Sequence, residues 1–208
     1  MLDFYYSPGS CALASHIVLE EVGADYRSHR IDFSQNQQQS ADYLKLNPKG
    51  RVPALSTAQG ILTETPAILV YLAETHERSD LILKADHFRF ARLQAFNSYL
   101  CATVHVAHAH KGRGHRWASD PAAIKSMQAH VPTSMSSCFD YIENEAIAGP
   151  YVMGETFSVA DPYLYTICRW ASADGVDISR LAKVKKHMEI MTQRPATLAA
   201  LKAEGLEP

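Results

Sequence analysis

The sequence predicts a small mixed α/β part followed by a larger all-helical part. Up to about residue 75, short apolar runs and turn signals alternate with helical patterns in the order β-α-β-(α)-β-β-α. From Ala73 onward strand signals vanish, and apolar residues recur only at helical spacing. A chain of 208 residues with 47% hydrophobic content is long enough to bury a core in each part. We therefore expect two domains, residues 1–78 and residues 86–208.

Composition and cysteine usage argue against several classes of function. A net charge of -2 gives no electrostatic reason to expect a nucleic acid or an anionic membrane as a partner. No apolar run approaches the length that spans a bilayer, and the N-terminus lacks the basic and apolar regions of a signal peptide. The four cysteines are widely spaced without a CxxC pair, which argues against a disulfide framework, a structural zinc site or a dithiol redox cycle. We therefore expect a soluble, cytoplasmic protein.

The first strand–turn–helix unit carries a cysteine at a chemically distinctive position. Leu2–Tyr6 predicts a strand, Pro8-Gly9 a turn, and the apolar spacing that follows predicts a helix that stops near Gly23. Cys11 is then expected in the first helical turn, where unpaired N–H groups and the helix dipole create a positive potential. Such a position lowers the pKa of a thiol or favours an anionic sulfur of a ligand. The alternative is that Cys11 is a small buried residue that packs the helix start.

The rest of the first part is predicted to contain further strands and a capped helix. Tyr26–Ile31 predicts a strand, a glutamine-rich loop follows, and residues 43–46 predict one or two helical turns. Pro53 marks an edge, a strand start or a cis bond, because proline cannot donate to a ladder. After a turn and a short paired strand, Thr65 is predicted as the N-cap and Pro66 as the first residue of a helix.

The second part is predicted to be helical throughout. Apolar spacing indicates a long helix over residues 88–107 and another that begins at Asp120-Pro121, with a kink at Pro132. The sequence Ser158-Val159-Ala160-Asp161 is typical of a helix cap, so Asp161 is expected to stabilise the fold rather than act in catalysis. Helical patterns continue over residues 181–191 and 195–202.

Five spaced motifs resemble those of a known family. They are Phe4-Tyr5-Tyr6-Ser7-Pro8-Gly9-Ser10-Cys11, Asn47-Pro48-Lys49-Gly50-Arg51-Val52-Pro53-Ala54-Leu55, Leu62-Thr63-Glu64-Thr65, Phe157-Ser158-Val159-Ala160-Asp161, and Arg194-Pro195 with Ala203-Glu204-Gly205-Leu206. In this order and spacing the chain resembles the glutathione transferase family, most closely the bacterial beta class, over nearly its whole length. The resemblance implies a thioredoxin-like N-terminal domain that binds glutathione, an all-α C-terminal domain that holds the co-substrate, and a homodimer.

The resemblance also implies a set of site residues. Cys11 falls on the cysteine that faces the glutathione sulfur. Val52 and Pro53 fall on the cis-proline turn that pairs with the cysteinyl part of glutathione, and Glu64 and Thr65 on the pair that holds its γ-glutamyl end. A histidine that approaches the sulfur across the cleft corresponds to His105, with His108 second. The set is completed by Tyr6 as a secondary catalytic residue and by the glutathione contacts Ser10, Gln35 and Ser98.

At Gln35 the chain departs from the class pattern. The class commonly has a lysine in this loop, which contacts the glycyl end of glutathione, whereas the loop here reads Gln35-Asn36-Gln37. The neutral side chain of Gln35 therefore stands where the class commonly has a positively charged lysine to contact glutathione.

The activity implied is that of a glutathione transferase, which presents the glutathione thiolate to a small electrophile in detoxification. Glutathione is then a co-substrate, and no bound cofactor or metal is expected. Two alternatives remain open. One is thiol-transferase or peroxidase chemistry through a mixed disulfide between Cys11 and glutathione. The other is a non-catalytic binding protein of the same fold.

A histidine-rich and basic segment of the long helix has more than one interpretation. A metal cluster of His105, His108, His110 and His115 is disfavoured, because His110 lies on a different helical face from His105 and no Cys, Asp or Glu joins them nearby. A cleft-lining or surface role is favoured instead. The basic stretch that follows is either a solvated helix end or part of an acceptor pocket for anionic or aromatic co-substrates; it contains Lys111, Arg113, His115, Arg116 and Trp117.

Overall fold

A four-stranded mixed sheet forms the centre of the first part. The computed structural model describes all residues from 1 to 208. The strands are β1 (Leu2–Tyr6), β2 (Tyr26–Arg30), β3 (Ala54–Thr57) and β4 (Gly60–Thr63), in the order β2-β1-β3-β4. β1 runs parallel to β2 and antiparallel to β3, so that Phe4 pairs with Ser28 on one side and Leu55 on the other. β3 and β4 form an antiparallel hairpin.

Nine α-helices surround and extend this sheet, in the predicted order. Their bounds are α1 (Ala12–Glu21), α2 (Ala41–Leu46), α3 (Thr65–Thr75), α4 (His87–Tyr99), α5 (His105–Arg113), α6 (Pro121–Tyr141), α7 (Ala160–Cys168), α8 (Ala182–Thr192) and α9 (Pro195–Glu204). Every strand lies before residue 64, which confirms that strands end with the first part. None of these helices combines the length and apolar character that crossing a membrane requires.

The predicted long helix over residues 88–107 is two helices joined without a break by a wider turn. α4 and α5 are connected by a π-helical turn, Leu100–Val104. Such turns re-aim the side chains that follow them and occur often at functional sites. His105 is the first residue after this turn. The following helix, α6, begins at the predicted Asp120 cap and contains Pro132.

One hydrophobic core crosses from the first part into the second. Helix α1 lies at its centre, because all residues from Ala12 to Leu19 are buried. It packs against α3 on the sheet side and against α7 and α9 on the helical side. A helix that is buried on all faces requires packing partners all round, and α1 has them in both parts. The boundaries 1–78 and 86–208 stay a prediction, since this core is shared between them.

The predicted start of the helix at Thr65 needs correction. The helix that was expected to begin after an N-cap at Thr65 begins at Thr65 itself, and Glu64 occupies the cap position. Glu64 makes no side-chain cap hydrogen bond and has a φ of 72°.

The predicted structural role of Asp161 is confirmed, although the cap residue of α7 is Val159 and makes no side-chain cap hydrogen bond. Asp161 is fully buried, and its carboxylate accepts hydrogen bonds from the Ser158 N–H (2.8 Å), the Ser158 hydroxyl (3.0 Å) and the Val152 N–H (2.8 Å). His187 Nε2 lies 3.1 Å from the same group. One carboxylate thus ties the start of α7 to the preceding loop and to α8.

Replacement of Asp161 by Ala is expected to destabilise the protein strongly. The change leaves several buried donors without an acceptor, which costs about 3 kcal/mol or more in the free energy of unfolding. Asp42→Ala is the matched control: Asp42 pairs with Lys45 on the surface at 2.9 Å, and an exposed pair contributes less than about 1 kcal/mol. Urea unfolding measures both. A loss at Asp161 as small as that at Asp42 would contradict the structural role.

Candidate functional site

A cleft of about 580 Å³ separates the sheet part from the helical part. One wall consists of the turn before α1, the loop before β3 and the start of α3; the other consists of α5, the turn after it and residues of α7 and beyond. The predicted site residues that line it are Ser10, Cys11, Val52, Pro53, Glu64, Thr65, His105 and His108. Residues far apart in sequence are thereby brought to one site.

The turn at Gly9 is held by the helical part from two sides. Gly9 has a φ of 68°, in the left-handed region that glycine adopts without strain. Its N–H donates to Glu204 Oε2 at 2.9 Å, and its carbonyl accepts from Trp170 Nε1 at 2.9 Å. These two bonds fix the approach of the chain to Ser10 and Cys11.

Cys11 lies at the base of the cleft as a buried, protonated thiol. It directly precedes α1 instead of lying in its first turn, and its Sγ donates to the Val52 carbonyl at 3.4 Å. Burial raises the pKa of Cys11 to about 11, although the Thr65 hydroxyl beside it favours the thiolate. The predicted lowering of this pKa is therefore wrong, because desolvation outweighs the helix N-terminus. The alternative of a buried, packed Cys11 describes its environment better.

The loop before β3 presents its backbone to the cleft. The Val52–Pro53 peptide bond is cis, which confirms the cis bond expected there. The Arg51 carbonyl accepts hydrogen bonds from the Tyr43 hydroxyl and from Asn47 Nδ2, each at 2.7 Å. These side chains leave the loop little freedom, so the Val52 backbone is a rigid edge for an extended ligand.

Glu64 and Thr65 lie at the rim of the same cleft, beside a lysine that sequence reasoning missed. Lys49 Nζ lies 2.5 Å from Glu64 Oε1 and 2.7 Å from Thr63 Oγ1. The positive φ of Glu64 is uncommon for a residue with a side chain, and such conformations cluster at ligand-binding sites. Thr65 is buried at the N-terminus of α3, where backbone N–H groups are free to bind an anion.

The opposite wall carries two histidines packed on Trp170. The His108 ring stacks on the indole at 4.3 Å between centroids, and the His105 ring lies 5.1 Å from it. His108 Nδ1 lies 2.6 Å from the carboxylate of Asp174, which is buried. Burial lowers the pKa of His105 to about 3, and the nearby Arg113 adds to this effect. His105 is therefore a neutral imidazole, suited to donating a hydrogen bond and poorly suited to holding a proton as a base.

Three predicted site residues lie outside the cleft lining. Tyr6 is buried in the sheet part, where its ring stacks on Phe4 and packs against His16. It points into the core because β1 alternates its faces and Tyr6 falls on the inner one. Gln35 and Ser98 are both exposed. Asn36, Gln38 and Gln39, from the same loop as Gln35, line the cleft instead.

The basic stretch after α5 borders the cleft. Arg113, His115, Arg116 and Trp117 all line it, together with Arg51 from the facing loop. His115, Arg116 and Trp117 are also exposed, so the acceptor-pocket interpretation stays a prediction. Lys111 turns away to Asp174 Oδ1 at 3.3 Å. The contacts of Trp170 and Asp174 with His108 could not be predicted from the sequence. Both residues follow α7, so their positions depend on how α7 packs against the helices around it.

Stability at acidic pH should report the neutral state of His105. The unfolded chain protonates this histidine near its ordinary pKa of about 6.5, whereas the folded protein does so only near a pKa of about 3. Below the unfolded value the unfolded state binds the extra proton, so this contribution to stability is lost as pH falls from about 6.5 towards 3. Urea unfolding of wild type and His105→Asn between pH 8 and pH 5 should show a smaller acid loss for the variant. Parallel curves would contradict a depressed pKa.

Comparisons with known proteins show what this chain is similar to. The family model "Glutathione S-transferase, N-terminal domain" matches residues 2–74. The chain is 31% identical to glutathione S-transferase GstA of Escherichia coli O157:H7, over 99% of this chain and 100% of that protein. It is similar to the crystal structure of a glutathione transferase homologue from Sulfitobacter with bound glutathione, with a TM-score of 0.95, 43% identity, and coverage of 100% of this chain and 99% of that one. A bacterial beta class enzyme from Sphingomonas chungbukensis matches with a TM-score of 0.85 and 32% identity, over 99% of this chain and 100% of that one.

Proposed function

Because this chain belongs to the glutathione S-transferase family, we propose that it binds glutathione in the cleft and transfers it to a small electrophile. The observation that carries the proposal is the convergence of Cys11, the cis Val52–Pro53 edge and the Glu64–Thr65 corner on one cleft wall, opposite His105. These groups offer a separate partner to each part of an extended tripeptide thiol.

The sheet-side wall would bind glutathione along its length. The exposed Glu64 carboxylate suits the ammonium of the γ-glutamyl end, and the N-terminus of α3 at Thr65 suits its carboxylate. The Val52 backbone suits the peptide groups of the cysteinyl part, as an added strand does. The glutathione sulfur then lies near Ser10 and Cys11, at the N-terminus of α1.

This arrangement would lower the pKa of the bound glutathione thiol. The N-terminus of α1 supplies unpaired N–H groups and a positive dipole end. The neutral His105 supplies a hydrogen-bond donor from the other wall of the cleft. The thiolate attacks the electrophilic carbon, a carbon–sulfur bond forms, and the leaving group departs with the bonding electrons of the broken bond. Positioning and thiolate stabilisation provide the rate enhancement.

Cys11 would assist as a protonated neighbour rather than as a nucleophile. With its pKa raised to about 11 by burial, its thiol is almost wholly protonated at neutral pH. A thiol in that state attacks a disulfide slowly. We therefore favour conjugation over thiol transfer through a mixed disulfide at Cys11.

Binding and turnover of two variants test the proposal. Cys11→Ala is expected to bind glutathione in calorimetry and to retain conjugation of an aryl halide, with no glutathione adduct on wild type by mass spectrometry. Glu64→Gln is expected to weaken glutathione binding about tenfold, because a charge-assisted hydrogen bond is lost. Glu189→Gln is the matched control, since Glu189 lies on the exposed face of α8, outside the cleft.

Three outcomes would contradict the proposal. An adduct on wild type that disappears in Cys11→Ala would indicate thiol exchange. Binding of glutathione without turnover of any electrophile would indicate a binding protein. If neither wild type nor Cys11→Ala binds glutathione, the proposed transferase function is wrong.

We further propose a homodimer. Phe88, near the start of α4, is 74% exposed, which is unusual for an aromatic side chain on a single folded chain. Light scattering should give twice the mass of the chain, and Phe88→Ser should shift the protein towards a monomer. Leu198→Ser, at an apolar residue on α9 that is 42% exposed, serves as the control. A monomeric wild-type protein would contradict the homodimer.

The cytoplasmic location and the detoxification role stay predictions.

A further inference from the structure

Three arginines with no acidic partner line the cleft. Arg51 precedes the cis-proline edge, Arg113 ends α5, and Arg116 lies in the short turn after it. Of the other eight arginines, four pair with acids: Arg27 with Asp3, Arg78 with Asp80, Arg180 with Asp140 and Arg194 with Glu21. Arg30, Arg89, Arg92 and Arg169 have no acidic partner either, but they lie outside the cleft. The three cleft arginines form no ion pair and no side-chain hydrogen bond within the chain. We call this group the arginine cluster.

The arginine cluster is close enough for its members to repel one another. Burial lowers the pKa of Arg116, and Arg51 and Arg113 lower it further. The lining of the cleft contains a single carboxylate, that of Glu64, and Lys49 already pairs with it. Like charges that are partly removed from water without counter-charges are unfavourable. The arginine cluster therefore creates a positive electrostatic potential in the cleft, which a bound anion would neutralise.

Glutathione alone does not supply enough negative charge for this position. Its glycyl end carries one carboxylate, which one guanidinium can bind through two parallel hydrogen bonds. At least one arginine is then left without a counter-charge. The aromatic rings of Phe33 and Trp117, each more than one-third exposed, border the same cleft and offer flat apolar surfaces. Guanidinium groups beside aromatic rings suit a planar ring that bears an acid group.

We propose that the arginine cluster is an anion subsite for the co-substrate, and that the preferred electrophile is an aromatic compound bearing a carboxylate or similar acid group. This inference rests on the proposed transferase function and specifies its substrate class. In the reaction, the glutathione sulfur adds to the ring carbon that carries the leaving group and a carbon–sulfur bond forms. The carbon–halogen bond then breaks, halide leaves with its electron pair, and the thiol proton passes to solvent. The acid group takes no part in these steps and only orients the ring.

A pair of inert ligands tests the subsite without requiring turnover. Calorimetry measures the binding of 3,5-dinitrobenzoate and of neutral 1,3-dinitrobenzene, with S-methylglutathione present to fill the glutathione subsite and its glycyl position. Wild type should bind the benzoate more tightly than the neutral ring. Arg113→Gln and Arg116→Gln should each weaken benzoate binding about tenfold, with little change for the neutral ring. Arg92→Gln is the control, because Arg92 is exposed on α4 outside the cleft.

Turnover then connects the subsite to the reaction. The acceptors are 4-chloro-3,5-dinitrobenzoate and 1-chloro-2,4-dinitrobenzene, and each catalysed rate is divided by the uncatalysed rate of the same acceptor. Arg113→Gln and Arg116→Gln should lower kcat/KM for the benzoate about tenfold. Values for the neutral acceptor and the KM for glutathione should stay within about twofold.

The outcomes separate failure of the subsite from failure of the enzyme. Equal losses for both acceptors, or a raised KM for glutathione, would assign the cluster to the glycyl carboxylate and overturn the inference while the transferase function stands. No effect of either variant on benzoate binding would also overturn it. Arginine-dependent binding of the benzoate with no turnover of either acceptor would support the anion subsite and contradict the proposed function.

Discussion

The site depends on the two hydrogen bonds that the helical part makes to the peptide groups of Gly9. Glu204 near the C-terminus accepts from the N–H, and Trp170 donates to the carbonyl. The other oxygen of Glu204 lies 2.9 Å from His16 Nδ1 on α1, and His16 Nε2 lies 3.0 Å from the Tyr26 hydroxyl. A buried carboxylate needs such partners, since an unpaired one is costly. The turn that leads to Cys11 is therefore shaped by residues 161 and 195 positions away from Gly9 in the sequence.

This dependence explains why the site is a cleft between parts rather than a feature of the sheet alone. The sheet part contributes Arg51 and rigid backbone edges at Val52 and at the start of α3, and the helical part contributes His105, Arg113 and Arg116. Trp170 contacts both walls of the cleft. Its indole N–H donates to the Gly9 carbonyl, and its ring packs against His105 and His108. Docking of the two parts thus sets the position of the reacting sulfur and of the electrophile together.

Sequence reasoning succeeded where the signal is local. Apolar spacing located the helices, and the Ser-x-x-Asp pattern identified the structural role of Asp161. The proline before β3 left a cis bond as one of three possibilities, and the family resemblance pointed to the cis bond. It failed where burial decides the result. The pKa of Cys11 is raised because neighbours from other elements exclude water, and Tyr6 faces the core because of the strand face on which it lies. The Lys49–Glu64 pair and the unpaired arginines depend on contacts between elements that no local pattern encodes.

The most direct test of this account is the ultraviolet absorbance of the thiolate, followed through a pH titration with and without glutathione. The account predicts no thiolate near neutral pH in the free protein, because Cys11 is protonated. With glutathione bound, a thiolate should form well below the pKa of the free tripeptide, and to the same extent in Cys11→Ala. A thiolate in the free protein that disappears in Cys11→Ala would show that Cys11 is the activated sulfur and would contradict the account.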